Sequence, residues 1–255
     1  MKHNLRRLLG PDGRILICAM DHAILADGLL SGLGDYGKTV RACVTGGADA
    51  FLAPIGSCVN FADDFGRAAI IASVETGPRF QANIVERALW AGADAIKCMV
   101  YPFTENEWLG QAHVIAADAA RLNVPYIIEA VPGGFDGVAD HTPDKIAASS
   151  RLAADAGADL VKTFYTGDPD SMRDIVAYCS VPVVILGGAA KGAMPGLFRD
   201  VYDAVVVAGC AGAAIGRNIW QSPDPGAITR GLAAIIHGGA TVDEALHEAG
   251  LLATA

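Results

Sequence analysis

Eight short runs of almost unbroken apolar residues punctuate this chain, each separated from the next by a longer stretch that reads as helix. The runs are RILICAM (14–20), DAFLA (49–53), AAIIAS (68–73), DAIKCMVY (94–101), PYIIEAV (125–131), DLVKTFY (159–165), PVVILGG (182–188) and AGAAIG (211–216). A strand that is apolar on both sides of its pleat is covered on both faces, and strands joined by helix-length crossovers pair in parallel. Eight such units in 255 residues predict an α/β chain folded as a (β/α)8 TIM barrel, one domain over 1–255, with a doubly wound open sheet as the competing arrangement.

The helical stretches fall near 36–46, 81–91, 105–122, 143–156, 169–178, 194–208, 224–237 and 241–249. The last opens on Thr241 with Glu244 three residues on, the pattern of a capping box. Four helix-to-strand junctions are related: GGADAFLA, AGADAIK, AGADLVK and AGCAGAAIG. Each fits a turn that uses glycine to end the helix. Their unequal spacing speaks for barrel quasi-symmetry and against a solenoid.

With 52% apolar residues the chain can bury a large core. A net charge of −9 argues against a nucleic-acid partner, because neutralising phosphates takes clustered Lys and Arg. The six cysteines show no C-x-x-C spacing and several lie in apolar runs, which points to a reducing cytoplasm and neither a disulfide framework nor a zinc site. The opening MKHNLRRLLGPDG has no apolar stretch long enough for a signal peptide. The longest apolar run, 204–216, falls short of the roughly 20 residues that span a bilayer. A soluble protein with no membrane partner is expected.

Reactive groups in a barrel gather at the C-terminal ends of the strands. Asp21 and His22 follow the first run; Lys97, Glu129 and Lys162 interrupt the fourth, fifth and sixth. Two lysines and two carboxylates could form a purely structural ion-pair cluster. The alternative is chemistry. Burial and a neighbouring cation both lower a lysine's pKa and free a neutral amine. Such an amine attacks carbonyls, and the resulting Schiff base is an electron sink that lets an adjacent C–C bond break. Asp21 and Glu129 could then carry protons. No cofactor is required, and no cluster has metal-ligand spacing.

After the seventh and eighth runs come ILGGAAKGAMPG and AIGRNIWQ. In barrels these loops commonly hold phosphate on backbone N–H groups, and Gly187, Gly188 and Gly216 suit that role, with Arg217 adding a charge-assisted contact. Trp90, Trp108 and Trp220 are expected in helix packing or subunit contacts, and Phe164 and Tyr165 in the pocket wall.

Taken in order, ICAMDHA, VKTFYTGD, VVILGG and GAAIGRNIWQ resemble the class I aldolases of the superfamily that contains archaeal-type fructose-bisphosphate, deoxyribose-phosphate and tagatose-bisphosphate aldolases. The resemblance implies a metal-independent lyase of carbohydrate metabolism in which Lys162 forms the Schiff base and Gly187, Gly188, Gly216 and Arg217 hold a substrate phosphate. Asp21 and His22 line the site. Archaeal fructose-bisphosphate aldolases end the fifth strand in a Tyr-Pro-Arg-Gly type motif whose tyrosine donates a proton; here the motif is Val131-Pro132-Gly133-Gly134. Lys97 and Glu129 instead match the tagatose-bisphosphate and sulfofructose-phosphate branch. A further relative, a thiolase-like enzyme, uses the same lysine with the histidine matching His22 for acyl transfer, which keeps that reaction as an alternative beside a non-catalytic sugar-phosphate-binding barrel. The implied partner is a small phosphorylated carbonyl compound, and the implied assembly a homo-oligomer.

Overall fold

The structure is a computed structural model that describes residues 3–22, 30–77, 80–104, 108–187 and 194–252. Its strands are β1 (Ile15–Ala19), β2 (Ala50–Pro54), β3 (Ala69–Ser73), β4 (Ala95–Val100), β5 (Tyr126–Ala130), β6 (Leu160–Thr163), β7 (Val183–Leu186) and β8 (Gly212–Ile215). Each pairs in parallel with its sequence neighbours, and β8 returns to β1 in the register Ile15↔Gly212 through Cys18↔Ile215. That last pairing closes the barrel and excludes the open sheet.

One helix precedes the strands, α1 (His3–Leu8); seven lie between them, α2 (Tyr36–Thr45), α3 (Ile55–Asn60), α4 (Ile84–Trp90), α5 (Trp108–Arg121), α6 (Pro143–Asp155), α7 (Pro169–Tyr178) and α8 (Met194–Tyr202); and α9 (Arg217–Trp220), α10 (Pro225–Gly238) and α11 (Val242–Glu248) follow β8, among the described residues. Residues 105–107, the expected start of the helix after the fourth strand, lie outside the described residues. The stretch 194–208 is not one α-helix: α8 passes into a π-helical turn, Asp203–Val207, where three consecutive valines crowd the α-helical ladder. α6, α7 and α10 share one opening, an N-cap Thr142, Asp168 or Asp224 followed by proline at the first helical position. The capping box at Thr241 and Glu244 forms as the spacing predicts.

Strand alternation divides the buried residues into two layers. Ile17, Leu52, Ile71, Ile127, Leu160 and Val184 point into the barrel, where Leu5, Leu8 and Leu9 of the α1 segment join them and close the bottom. Leu16, Phe51, Ile96, Ile128, Val161 and Ile185 point outward and pack under the helices. All six cysteines are free, buried thiols, packed as small hydrophobes.

The related junctions have a common mechanism. Gly47, Gly92, Gly157 and Gly209 all take positive φ (96°, 85°, 103° and 86°), the left-handed turn that an L side chain resists. In the first three, the aspartate that follows clamps one residue of the preceding strand at both its polar groups. Asp49 donates its N–H to Leu16 O and accepts Leu16 N–H on Oδ2; Asp94 does the same to Ile70, and Asp159 to Tyr126. The fourth junction has Ala211 in that place and keeps only the backbone half, to Val183 O. Each clamp sets the register of the strand it opens, so the residue three positions after the aspartate faces the interior: Leu52, Lys97 or Lys162.

Candidate active site

Because parity sends Lys97 inward from the middle of β4, and Glu129 and Lys162 inward from just before the ends of β5 and β6, their charged ends meet. Glu129 lies between the lysines, with Oε2 3.1 Å from Lys97 Nζ and Oε1 2.8 Å from Lys162 Nζ. Lys97 Nζ also reaches Asp21 Oδ2, just past β1, at 2.8 Å. Ser73, the last residue of β3, donates its hydroxyl to the same Asp21 oxygen at 2.8 Å. All five side chains are buried, Lys97 at 1% exposure. The row Ser73, Asp21, Lys97, Glu129, Lys162 is therefore continuous, with Lys162 as its end.

The electrostatics correct one expectation. Burial alone depresses Lys97, but Asp21 and Glu129 together outweigh it and hold its ammonium well above the usual lysine range. A second lysine nearby does not make Lys97 a free amine, since two carboxylates embrace it. Burial likewise pushes Asp21 and Glu129 up, and is overcome by the two lysines, so both carboxyls titrate below their ordinary values. For Asp21 the larger contribution is Lys97; for Glu129 it is Lys162.

His22 stands at the edge of this row. Its Nδ1 is 3.8 Å from Asp21 Oδ1, and its ring meets the buried Trp220 edge-on at 5.4 Å between centroids. Trp220 is fixed in turn by donating Nε1–H to Ala19 O at 3.0 Å. Burial lowers the His22 pKa, and Lys162 and Arg217 add to that against the pull of Asp21, so the ring is neutral at pH 7. His22 also explains Gly216. That residue has an ordinary negative φ of −111°, but a Cβ on it would lie 2.5 Å from His22 Cε1 and 2.8 Å from Ala19 O.

Gly187 and Gly216 follow β7 and β8 side by side, and Arg217 opens α9 next to them. Asn218, buried, donates Nδ2–H to Gly187 O at 3.3 Å and ties the two loops together. Gly188 lies outside the described residues. Phe164 flanks the mouth against His141 and Phe135, whereas Tyr165 turns to the outer layer among Asp168, Asp200 and Asp203, so it is not a pocket wall. Lys162 and Phe164 share a strand face and Tyr165 takes the other. Trp108 and Trp220 are buried; Trp90 is 80% exposed.

Ser73 and Asn218 are the members that sequence reasoning misses. Ser73 carried a signal, a hydroxyl ending an apolar run and registered against Lys97; Asn218 gave none. Among the described residues no group of three His, Cys, Asp or Glu is placed to hold a metal ion, and no helix is long and apolar enough to cross a membrane.

A buried lysine beside a carboxylate on a barrel strand is a Schiff-base arrangement, and comparison with known proteins agrees with it. The chain matches the DeoC/LacD family aldolase description over residues 15–222. It is 35% identical over 259 residues to the 2-amino-3,7-dideoxy-D-threo-hept-6-ulosonate synthase of Halobacterium salinarum, covering 97% of this chain and 96% of that one. It is 34% identical to the 2-amino-4,5-dihydroxy-6-oxo-7-(phosphonooxy)heptanoate synthase of Streptomyces griseus, over 96% of this chain and 92% of the other. An archaeal fructose-1,6-bisphosphate aldolase, solved with its catalytic Lys covalently bound to the carbinolamine intermediate of the substrate, superposes with a TM-score of 0.80 at 27% identity, over 91% of this chain and 98% of that one. With a barrel that closes in the same way and a family match spanning all eight strands, this chain belongs to the DeoC/LacD aldolase family.

Proposed function

We propose that this chain is a class I aldolase that makes or breaks the C–C bond of a small phosphorylated β-hydroxyketone through a Schiff base on Lys162. The observation that carries the reading is the pairing of Lys162 Nζ with Glu129 Oε1 at 2.8 Å inside a buried row that holds every other charge fixed. Lys97 cannot take the nucleophile's part, because Asp21 and Glu129 keep its ammonium charged.

In the cleavage direction, Glu129 Oε1 receives a proton from Lys162, and the free amine adds to the ketone carbon. Glu129 passes that proton to the carbinolamine hydroxyl, which leaves as water, giving an iminium and restoring the carboxylate. The hydroxyl on the β-carbon then gives up its proton to a carboxylate, Glu129 or Asp21, while the C–C bonding pair moves toward the iminium nitrogen. An aldehyde departs and an enamine stays on Lys162. Protonation of the enamine carbon and addition of water release the second product and restore the amine. Lys97, charged throughout, stabilises the carboxylates between proton transfers.

Gly187, Gly188, Gly216 and Arg217 hold the phosphate in this reading, and His22, neutral and wedged between Asp21 and Gly216, separates the phosphate loops from the row of charges. The name of the Streptomyces griseus relative's product supports the substrate class: it has a ketone at C6 beside a phosphorylated C7 and a hydroxyl two carbons away at C4. The relatives are named as synthases and an aldolase, which favours C–C bond chemistry over acyl transfer and over a non-catalytic barrel. A cytoplasmic homo-oligomer completes the reading; the exposed Trp90 and Val114 on the helical surface support the assembly.

The test is an assay of phosphorylated ketoses for release of dihydroxyacetone phosphate. Activity that persists in EDTA and vanishes in Lys162→Met supports the reading. Turnover that survives Lys162→Met contradicts it.

A further inference from the structure

A Schiff base on Lys162 divides its substrate into two halves. In the reading above, the phosphorylated half lies toward the loops after β7 and β8, on one side of β6. The half that leaves as aldehyde therefore lies on the other side, over Glu129 and against the loops after β4 and β5. Those two loops are joined, since Gly133 donates its N–H to Pro102 O at 2.8 Å. Aromatic rings gather on them. Phe164 continues the strand face of Lys162 two residues on, so its backbone stands about 7 Å above that of the lysine. Its ring meets His141 at 4.1 Å and Phe135 at 6.2 Å between centroids. His141 donates Nε2–H to Gly134 O at 2.9 Å, which holds the imidazole against Phe164.

Phe103 and Phe135 are 54% and 46% exposed, and among the described residues no other phenylalanine is exposed. Phe103 also keeps a φ of 68°, a left-handed backbone that a benzyl side chain resists and that functional loops tend to retain. The charge of the same loops is one-sided. Residues 101–107 and 131–145 hold five acidic residues, Glu105, Glu107, Asp136, Asp140 and Asp144, against one lysine, Lys145. That lysine is already engaged: it pairs with Asp140, and its Nζ lies 5.5 Å from the centroid of the Phe103 ring. The loop after β3 adds one charge of each sign, Glu75 and Arg79. A phosphate on the aldehyde half would face a wall of net negative charge.

We propose that the wall formed by Phe164, His141, Phe135 and Phe103 receives the aldehyde half of the substrate and selects an aldehyde that has an apolar face and no phosphate; this rests on the aldolase reading above. The rings take the apolar part of the aldehyde out of water, and the acidic loops repel an anion. The two ends of the substrate are thus read by opposite chemistry, a phosphate on the glycine and arginine side and apolar surface on the aromatic side.

Condensation of dihydroxyacetone phosphate with butanal or with glyceraldehyde 3-phosphate, followed by NMR, tests this, while borohydride trapping of the ketone alone reads Schiff-base formation separately. The wild type should show a kcat/KM for butanal about 10-fold or more above that for glyceraldehyde 3-phosphate, because like charges brought together are costly. Phe164→Leu, which keeps an apolar side chain and removes the ring, is expected to trap the adduct on Lys162 like the wild type and to raise the KM for butanal about 10-fold. A preference for glyceraldehyde 3-phosphate overturns the assignment, and so does an unchanged butanal KM in Phe164→Leu. The wild-type comparison decides the question if that variant does not fold. An enzyme that traps the ketone and condenses neither aldehyde overturns the assignment and leaves the Schiff base standing. A wild-type enzyme that traps no adduct overturns the aldolase reading and the assignment together.

Discussion

Glu129 gives one carboxylate oxygen to each lysine, so replacing it leaves two buried basic groups facing an amide. Breaking a buried pair by removing one partner costs about 3–5 kcal/mol, because the other charge stays desolvated. Glu129→Gln should lower unfolding free energy in urea by that amount and reduce turnover by about 10²- to 10⁴-fold, the usual contribution of a positioned acid or base. A stable Glu129→Gln enzyme with near wild-type turnover would contradict the account. The cluster was legible in the sequence because a charge inside an apolar strand must find a partner, and strand parity says where it points. The sign of the Lys97 shift was not. It depends on Asp21, 76 positions away and just past another strand, coming within 2.8 Å, and that proximity turns a buried lysine from a nucleophile into a fixed cation.

At the scale of the element, the helix-to-strand junctions aim the site. Asp94 and Asp159 each clamp one residue of the preceding strand, and the lysine of each strand sits three positions on. Asp159→Ala removes the acceptor for Tyr126 N–H. It should cost about 1–3 kcal/mol, the price of an unsatisfied buried donor, and speed hydrogen exchange at Tyr126 ahead of strands without such a clamp. Unchanged protection at Tyr126 would show that the backbone half of the clamp suffices. The glycine turns were readable from composition alone, since left-handed φ selects glycine. The carboxylate's second bond was not, because it needs the neighbouring strand in place. The same holds for α1 and α9, too short to carry a period, and for the π-helical turn after α8.

Across the whole molecule, His237 in the last turn of α10 joins distant parts of the chain at the barrel bottom. Its Nδ1 lies 2.7 Å from Asp12 Oδ2 and its Nε2 2.9 Å from Asp49 Oδ2, while Arg14 donates to Ile236 O at 2.6 Å. The hydrogen bond to Asp49 is the largest influence and, with Asp12, raises the His237 pKa to about 9 against the loss from burial. A pKa raised in the folded state stabilises fully below the unfolded value of 6.5 and ceases to do so as pH climbs through about 9. The urea midpoint of the wild type should therefore fall between pH 6.5 and 9, and His237→Gln should flatten that slope. An identical slope in both would refute the clasp. Asp12 titrates below its ordinary 3.8, so its share is present above that value and is lost as pH drops below it. Nothing in the sequence announces this clasp: its histidine and Asp12 are 225 positions apart, and only closure of the barrel brings the chain ends together. The barrel itself was legible, because eight doubly apolar strands with helical crossovers have few other ways to bury both faces.

The claim on which the rest depends is that Lys162, and not its neighbour Lys97, forms the covalent intermediate. Incubation with dihydroxyacetone phosphate, reduction with borohydride and peptide mass spectrometry decide it. The account predicts one reduced adduct, on the peptide containing Lys162, absent in Lys162→Met and still formed on Lys162 in any folded Lys97→Met protein. An adduct on Lys97, or trapping that survives Lys162→Met, would contradict it.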